Sequence, residues 1–195
     1  MFIFPKHQSF RGTSMPPMQL QTPGKEMITG PFKTVGLLSD THIPTRARSI
    51  PKKVFQIFDR VDFIIHAGDL VQLSVIEDLE QIAPVLAVCG NMDKPEVAKQ
   101  LPKTNSLKIL HRTIGVTHDP GALFGLTKMR ETARRNKFDV CVYGHTHTPS
   151  VKWEGNVLYV NPGSPTNSVL PFINRPSVAI LRISIEAITP EIIYI

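Results

Sequence analysis

At 195 residues the chain is long enough to bury one sizeable core and too short for two ordinary domains. Hydrophobic residues at 42% and charged residues at 19% exclude disordered, collagen-like and membrane-embedded classes. The net charge of +6 and a pI near 9.5 favour anionic partners, but a charge of that size also keeps an ordinary domain in solution, so it selects no function.

Residues 1–32 carry five prolines and three glycines and show neither helical nor strand period, so they are read as an arm, with the domain over 33–195. The arm opens Met1-Phe2-Ile3-Phe4 and then meets Pro5 and Lys6, without the apolar stretch of a secretory signal. Elsewhere the apolar runs stop well short of the roughly 18 residues of a membrane span. A cytoplasmic protein with no membrane partner is expected. The arm is expected to pack on its own or a neighbouring subunit, and an oligomer contact is favoured.

From Thr34 onward, short apolar runs alternate with amphipathic stretches. Val35–Leu38 reads as a strand, Lys52–Asp59 as a helix, Val61–His66 as a strand, Ser74–Gln81 as a helix and Val85–Cys89 as a third strand. This βαβαβ series implies parallel strands with ligands bound beyond their carboxyl ends. Ser106–Leu110 and Thr113–Thr117 read as a hairpin, Leu126–Lys137 as a basic amphipathic helix and Val140–Tyr143 as a strand. Val151–Trp153, Val157–Val160, Val178–Ile183 and Ile192–Tyr194 follow as antiparallel strands. Two mixed sheets packed face to face with helices outside are the expected architecture. Cys89 and Cys141 close apolar runs and read as core residues rather than a disulfide.

Chemistry gathers at the strand ends. Ser39-Asp40-Thr41-His42 follows the first strand, and on an extended chain residues two apart point to one side, so Asp40 and His42 can grip one ion. Gly68-Asp69 follows the second strand, the glycine permitting close backbone approach and Asp69 offering oxygens to two cations. Gly90-Asn91-Met92-Asp93 follows the third strand, His118 the hairpin, and Gly144-His145-Thr146-His147 the strand from Val140. Each strand end thus delivers a metal-competent side chain.

This ordered set resembles the small phosphodiesterase branch of the calcineurin-like metallophosphoesterase superfamily, whose pattern is D-x-H, G-D, G-N-x-D, H and G-H-x-H. The match runs from Val35 to about Ser164 and takes in the turn Asn161-Pro162-Gly163-Ser164. The resemblance implies a four-layer αββα sandwich, an α/β fold. It implies one divalent metal on Asp40, His42, Asp69 and His147, and a second on Asp69, Asn91, His118 and His145, with Asp69 as the bridge. Asp69, Asn91 and His118 are then the catalytic positions, and the reaction is hydrolysis of a phosphate ester by a hydroxide shared between the ions, with no phosphoenzyme. Mixed oxygen and nitrogen donors without thiolate suit Mn²⁺, Ni²⁺, Fe or Zn²⁺ better than Ca²⁺, and Mn²⁺ is favoured.

The chain departs from its relatives at two points. Many phosphomonoesterases of the superfamily place a histidine after the Asn, where this chain has Met92, which favours a diester or activated ester over a monoester. Relatives follow the equivalent of His118 with Gly and a second His, where this chain has Asp119-Pro120-Gly121. Outside the set, His66 reads as a hydrogen-bonded core residue, Arg46 and Arg48 as an exposed loop, and His7 and His111 as surface. The helix bearing Lys128, Arg130, Arg134, Arg135 and Lys137 lacks interleaved aromatic residues and reads as a solvated face. A small phosphate-ester substrate is therefore expected, rather than nucleic acid. The rival readings are a protein-binding scaffold of the same fold, as in the retromer subunit that shares the His42-Ile43-Pro44 stretch, and a nuclease.

Overall fold

The computed structural model describes residues 32–119, 121, 126–166 and 175–195. Strands β1 (Phe32–Leu38), β2 (Phe63–His66) and β3 (Val85–Ala87) alternate with helices α1 (Lys52–Phe58) and α2 (Ser74–Glu80). The strands are parallel neighbours, β1 beside β2 and β2 beside β3. Strand β2 is buried at every position, as expected of an apolar run covered on both faces. Helix α1 turns Val54 and Phe58, four residues apart, to the core and leaves Lys52, Lys53 and Gln56 in water.

Helix α3 (Pro95–Gln100) then leads to the antiparallel hairpin β4 (Thr104–Ile109) and β5 (Arg112–Thr117). The sequence reading has no counterpart to α3, because six residues with Val97 alone buried carry no period to detect. Helix α4 (Thr127–Asn136), strand β6 (Val140–Val142) and the hairpin β7 (Ser150–Glu154) and β8 (Val157–Asn161) follow. A last hairpin, β9 (Ser177–Ser184) and β10 (Ile188–Tyr194), ends the chain.

These strands form two five-stranded sheets, ordered β10-β9-β1-β2-β3 and β4-β5-β6-β8-β7. The last four strands, read as antiparallel, are so in pairs. The two hairpins are antiparallel within themselves but join different sheets: β8 lies parallel to β6, whereas β9 crosses over to lie antiparallel to β1. Both sheets are consequently mixed. Between them lies one core, with Val35, Leu37, Ile65 and Leu181 from one sheet against Val116, Val142, Leu158 and Val160 from the other. Helices α1 and α2 cover the outer face of the first sheet through Val54, Phe58, Val75 and Leu79. Helix α4 covers the second through Met129 and Ala133 against Phe138, Cys141 and Tyr159. This is the four-layer α/β sandwich. Among the described residues no helix is long and apolar enough to cross a membrane. The arm over 1–32 lies outside the described residues, except Phe32, which opens β1.

Candidate metal centre

The loops that leave β1, β2, β3, β5 and β6 converge at one edge of the sandwich. Backbone bonds tie the first two together: the N–H of Asp40 donates to Gly68 O (2.9 Å), that of His42 to Asp69 O (2.9 Å) and that of Ile43 to Leu70 O (3.2 Å). The extended chain expected for Asp40 and His42 is not what these bonds produce. Both residues take left-handed φ, 54° and 46°, as do Asp69 (56°), His145 (70°) and His147 (55°). Non-glycine residues seldom adopt that region, which costs on the order of 1–3 kcal/mol each when the surroundings enforce it. Among the described residues, candidate ligands thus occupy much of the strained backbone.

All seven candidate ligands meet here. On one side, His42 Nε2 lies 3.2 Å from His147 Nε2, and His147 Nε2 lies 3.3 Å from Asp40 Oδ1. His42 Nε2 stands 3.9 Å from Asp40 Oδ1 and 3.8 Å from Asp69 Oδ2. On the other side, Asp69 Oδ2 is 3.2 Å from His118 Nε2, and Asn91 Oδ1 is 3.1 Å from His118 Nε2 and 3.0 Å from His145 Nδ1. Asp69 Oδ2 therefore faces both halves. Asp40 also reaches towards the second half, since its carboxylate, that of Asp69 and His118 offer atoms within 4.8 Å of one another.

The donor set can be tested for a cation. With bonds of about 2.1 Å, neighbouring ligand atoms lie about 3.0 Å apart around an octahedral ion and about 3.4 Å around a tetrahedral one. The shorter spacings here, 3.0 to 3.3 Å, fall in that interval. Hydrogen bonding gives a second test. His118 Nδ1 donates to Ala67 O at 2.8 Å, which turns the Nε2 of a neutral ring, a lone pair, towards two further acceptors, Asp69 Oδ2 and Asn91 Oδ1. Three lone pairs can share that space only around a positive charge, a proton or a metal ion. Charges respond accordingly. Burial pushes His118 towards the neutral form, but its bond to Asp69 and the nearby Asp40 carboxylate outweigh burial and raise its pKa. Burial pushes the Asp69 carboxyl up, yet the bond to His118 and the Met92 N–H hold it below the usual range. Burial lowers His42 to about 4, so this ring is neutral at pH 7 and ready to ligate. Burial raises Asp40 against the pull of His118 and His147. The residues fit a divalent cation.

Residues 34–185 match the calcineurin-like phosphoesterase superfamily domain. The chain belongs to that superfamily. A probable metallophosphoesterase of Methanothermobacter thermautotrophicus is 39% identical over 160 residues, covering 82% of this chain and 91% of that protein. A phosphodiesterase of Methanocaldococcus jannaschii is 30% identical over 141 residues, 66% of this chain and 82% of that one. The structure of vacuolar protein sorting 29 from Cryptosporidium parvum superposes with a TM-score of 0.70 at 21% identity, covering 84% of this chain and 98% of the other, a likeness of fold.

Around this calcineurin-like site stands a set of supporting side chains. Asp93 accepts the N–H groups of Gly90 (2.6 Å), Val71 (2.5 Å) and Asp69 (3.2 Å), and so clasps the loops after β2 and β3. The turn after β8 is a brace: Asn161 Nδ2 donates to Gly144 O (3.0 Å) and Thr146 Oγ1 (2.9 Å), and Asn161 Oδ1 accepts Gly163 N–H (2.8 Å). Ser164 Oγ donates to Asp40 O (2.7 Å), and Ser39 Oγ lies 2.7 Å from Asp40 Oδ2. Gly90 has no room for a side chain, since a Cβ there would sit 2.1 Å from Asp69 Oδ1. Met92 contributes its backbone, donating N–H to Asp69 Oδ1 at 2.7 Å, while its side chain is 53% exposed.

His66 is the core residue expected. It is fully buried, with Nδ1 accepting Gly68 N–H (3.2 Å) and Nε2 3.0 Å from Thr41 Oγ1, and burial lowers its pKa to about 3. Arg46, Arg48 and His111 are exposed. On α4, Arg130 grips Glu154 through two bonds of 2.6 and 2.7 Å, and Arg135 bonds Glu131. That helix face points to solvent as expected. Cys89 and Cys141 are free thiols, both buried. His7 and Pro120 lie outside the described residues.

Proposed function

We propose that the protein is a metal-dependent phosphoric ester hydrolase acting on phosphodiesters. Asp40, His42, Asp69 and His147 would hold one divalent ion and Asp69, Asn91, His118 and His145 the other, with Mn²⁺ favoured. The observation that carries this reading is the position of Asp69 Oδ2, within 3.2 Å of His118 Nε2 and 3.8 Å of His42 Nε2, where one carboxylate serves both halves. With two divalent ions held by these residues, the site would have a nucleophilic hydroxide at neutral pH and a counter-charge for the phosphoryl oxygens.

The chain's own residues supply position. The Ala67 carbonyl fixes the tautomer of His118, so that Nε2 faces Asp69 and Asn91. Asn91 is a neutral donor and lies exposed at the mouth, where a substrate phosphate arrives. Nothing at Met92 can donate a proton from its side chain, so the leaving group must depart without help from that position. A diester with a good leaving group meets that condition better than an alkyl monoester does. The similarity to a named phosphodiesterase supports the same choice.

The test is turnover by metal-stripped protein of an activated diester and a monoester, with and without Mn²⁺, beside Asp69→Ala. Diester cleavage that needs the metal and falls by at least about 10²-fold in the variant is expected. Equal turnover by variant and wild type would overturn the mechanism. A protein-docking role is the second reading. It draws on the fold shared with vacuolar protein sorting 29 and on Val151 (41% exposed) and Trp153 (49% exposed), which stand on one side of the edge strand β7. Absence of metal-dependent turnover together with tight Mn²⁺ binding would favour it.

A further inference from the structure

A groove of about 630 Å³ opens beside Asn91, His118 and His145 and runs away from them between α3, the start of β4 and helix α4. Its volume is that of pockets holding whole small molecules rather than a bare phosphate group. Lys103, next to β4, and Lys128, in the first turn of α4, both line it. Both side chains are exposed. Among the described residues the lysine ion pairs are Lys33–Asp62 and Lys152–Glu154, so neither groove ammonium is in direct contact with a described carboxylate. The groove also holds two carboxylates, Asp93, which accepts three backbone N–H groups, and Asp119, which accepts that of Gly121.

We propose that this groove receives the ester substituent that stays on phosphorus, and that this substituent carries a second anion, a phosphate or a carboxylate, drawn by Lys103 and Lys128. The inference rests on the phosphodiesterase reading and gives that site its substrate class. Lysine suits the task because a flexible ammonium reads charge rather than planar shape, so either anion serves. Two exposed ammonium groups together provide about a tenfold preference, which weakens as salt rises.

The test uses 4-nitrophenyl diesters that share one leaving group and differ in the second substituent: methyl, phosphoethyl, carboxyethyl or trimethylammonioethyl. In each, water adds its oxygen to phosphorus, the bond to 4-nitrophenolate breaks, a proton passes to solvent and the second alcohol stays esterified in the product. Wild-type protein with Mn²⁺ is expected to show kcat/KM about tenfold higher for one or both anionic diesters than for the methyl diester, mainly through KM. Lys103→Met with Lys128→Met should bring that ratio to about one, whereas Lys108→Met, on the exposed side of β4, should leave it unchanged. Lys103→Glu with Lys128→Glu should turn the preference to the trimethylammonioethyl diester. The phosphate and carboxylate arms identify which anion the groove takes. A wild-type ratio near one with the methyl diester still cleaved would overturn the groove assignment alone, as would a ratio that survives the double substitution. If no diester is cleaved, the phosphodiesterase reading itself fails and the groove assignment falls with it.

Discussion

Replacing Asp93 by alanine removes the acceptor for three backbone N–H groups, at 2.5, 2.6 and 3.2 Å. A hydrogen bond to a charged group contributes about 1.5–3 kcal/mol when buried, but Asp93 is only half-buried and water can enter after truncation. Taking the two short bonds at about 1.5 kcal/mol each and nothing for the long one gives a loss of about 3 kcal/mol. For a domain of this size that lowers Tm by roughly 6–12 °C. A second loss follows from backbone strain. Asp69 and Val71 sit at φ of 56° and 75°, and the carboxylate of Asp93 bonds the N–H of both. Freed from it, the loop relaxes and Asp69 leaves the position it shares between the half-sites. Mn²⁺ affinity should then fall about 10- to 100-fold, the effect of losing a support behind a ligand. Asp93→Asn should do little better, because its NH₂ group turns a donor towards backbone donors. Calorimetric Mn²⁺ titration and thermal unfolding of metal-free protein read the two effects separately. Unchanged stability together with unchanged affinity would refute the reasoning, and lost stability with intact affinity would reduce Asp93 to a structural tie.

Gly90→Ala would place a Cβ 2.1 Å from Asp69 Oδ1, so that either the carboxylate or the β3 loop must move. The expected outcome is a destabilisation of about 1–3 kcal/mol with weakened Mn²⁺ binding, measured by denaturant unfolding and titration. His66 should make the fold acid-sensitive. Its folded pKa of about 3 lies below the ordinary 6.5, so the unfolded chain binds a proton first and stability is lost as pH falls from 6.5 towards 3. Between pH 7 and pH 4.5 the loss is about 2.5 kcal/mol, and urea unfolding should show this increment missing in His66→Gln. Cys141, pushed up to about 12 by burial, and Cys89, raised by burial and the Asp93 carboxylate, should resist a thiol reagent at pH 8. Labelling should be slower than in urea by more than about 10²-fold, counted by mass spectrometry.

The sequence made the first sheet and the clustering of the candidate ligands easy to read, and the reason is local. Val35–Leu38, Phe63–His66 and Val85–Ala87 are apolar runs whose burial on both faces leaves no alternative reading, and a Gly or Ser precedes the polar residue at each exit. What escaped depends on partners distant in the chain. Nothing in Val178–Ile183 distinguishes a strand that extends the second sheet from one that returns to the first, yet β9 pairs with β1 along six residues, from Phe32 opposite Ser184 to Leu37 opposite Ala179. The left-handed φ of Asp40 and His42 was hidden for the same reason. It follows from N–H groups reaching Gly68 and Asp69 O, on a loop more than two dozen residues away. The short spacing of D-x-H suggested one side of an extended chain, and the side chains do converge, but through a turn the tertiary bonds impose.

Distance in the chain also explains how the candidate metal centre depends on the whole fold. Asp40, His42, Asp69 and Asn91 follow strands of the first sheet, and His118, His145 and His147 follow strands of the second. Each half of the site draws on both sheets, since Asp40 and His42 meet His147, and Asp69 and Asn91 meet His118 and His145. A sideways slip of one sheet over the other by a single residue, about 3.3 Å, would exceed every spacing tolerance of a coordination sphere. The apolar packing of Leu37 and Ile65 against Val116 and Val142 is thus what fixes the ligand distances. An ion bound across that seam binds the native state and not the unfolded chain, so it must stabilise the sandwich in proportion to its affinity.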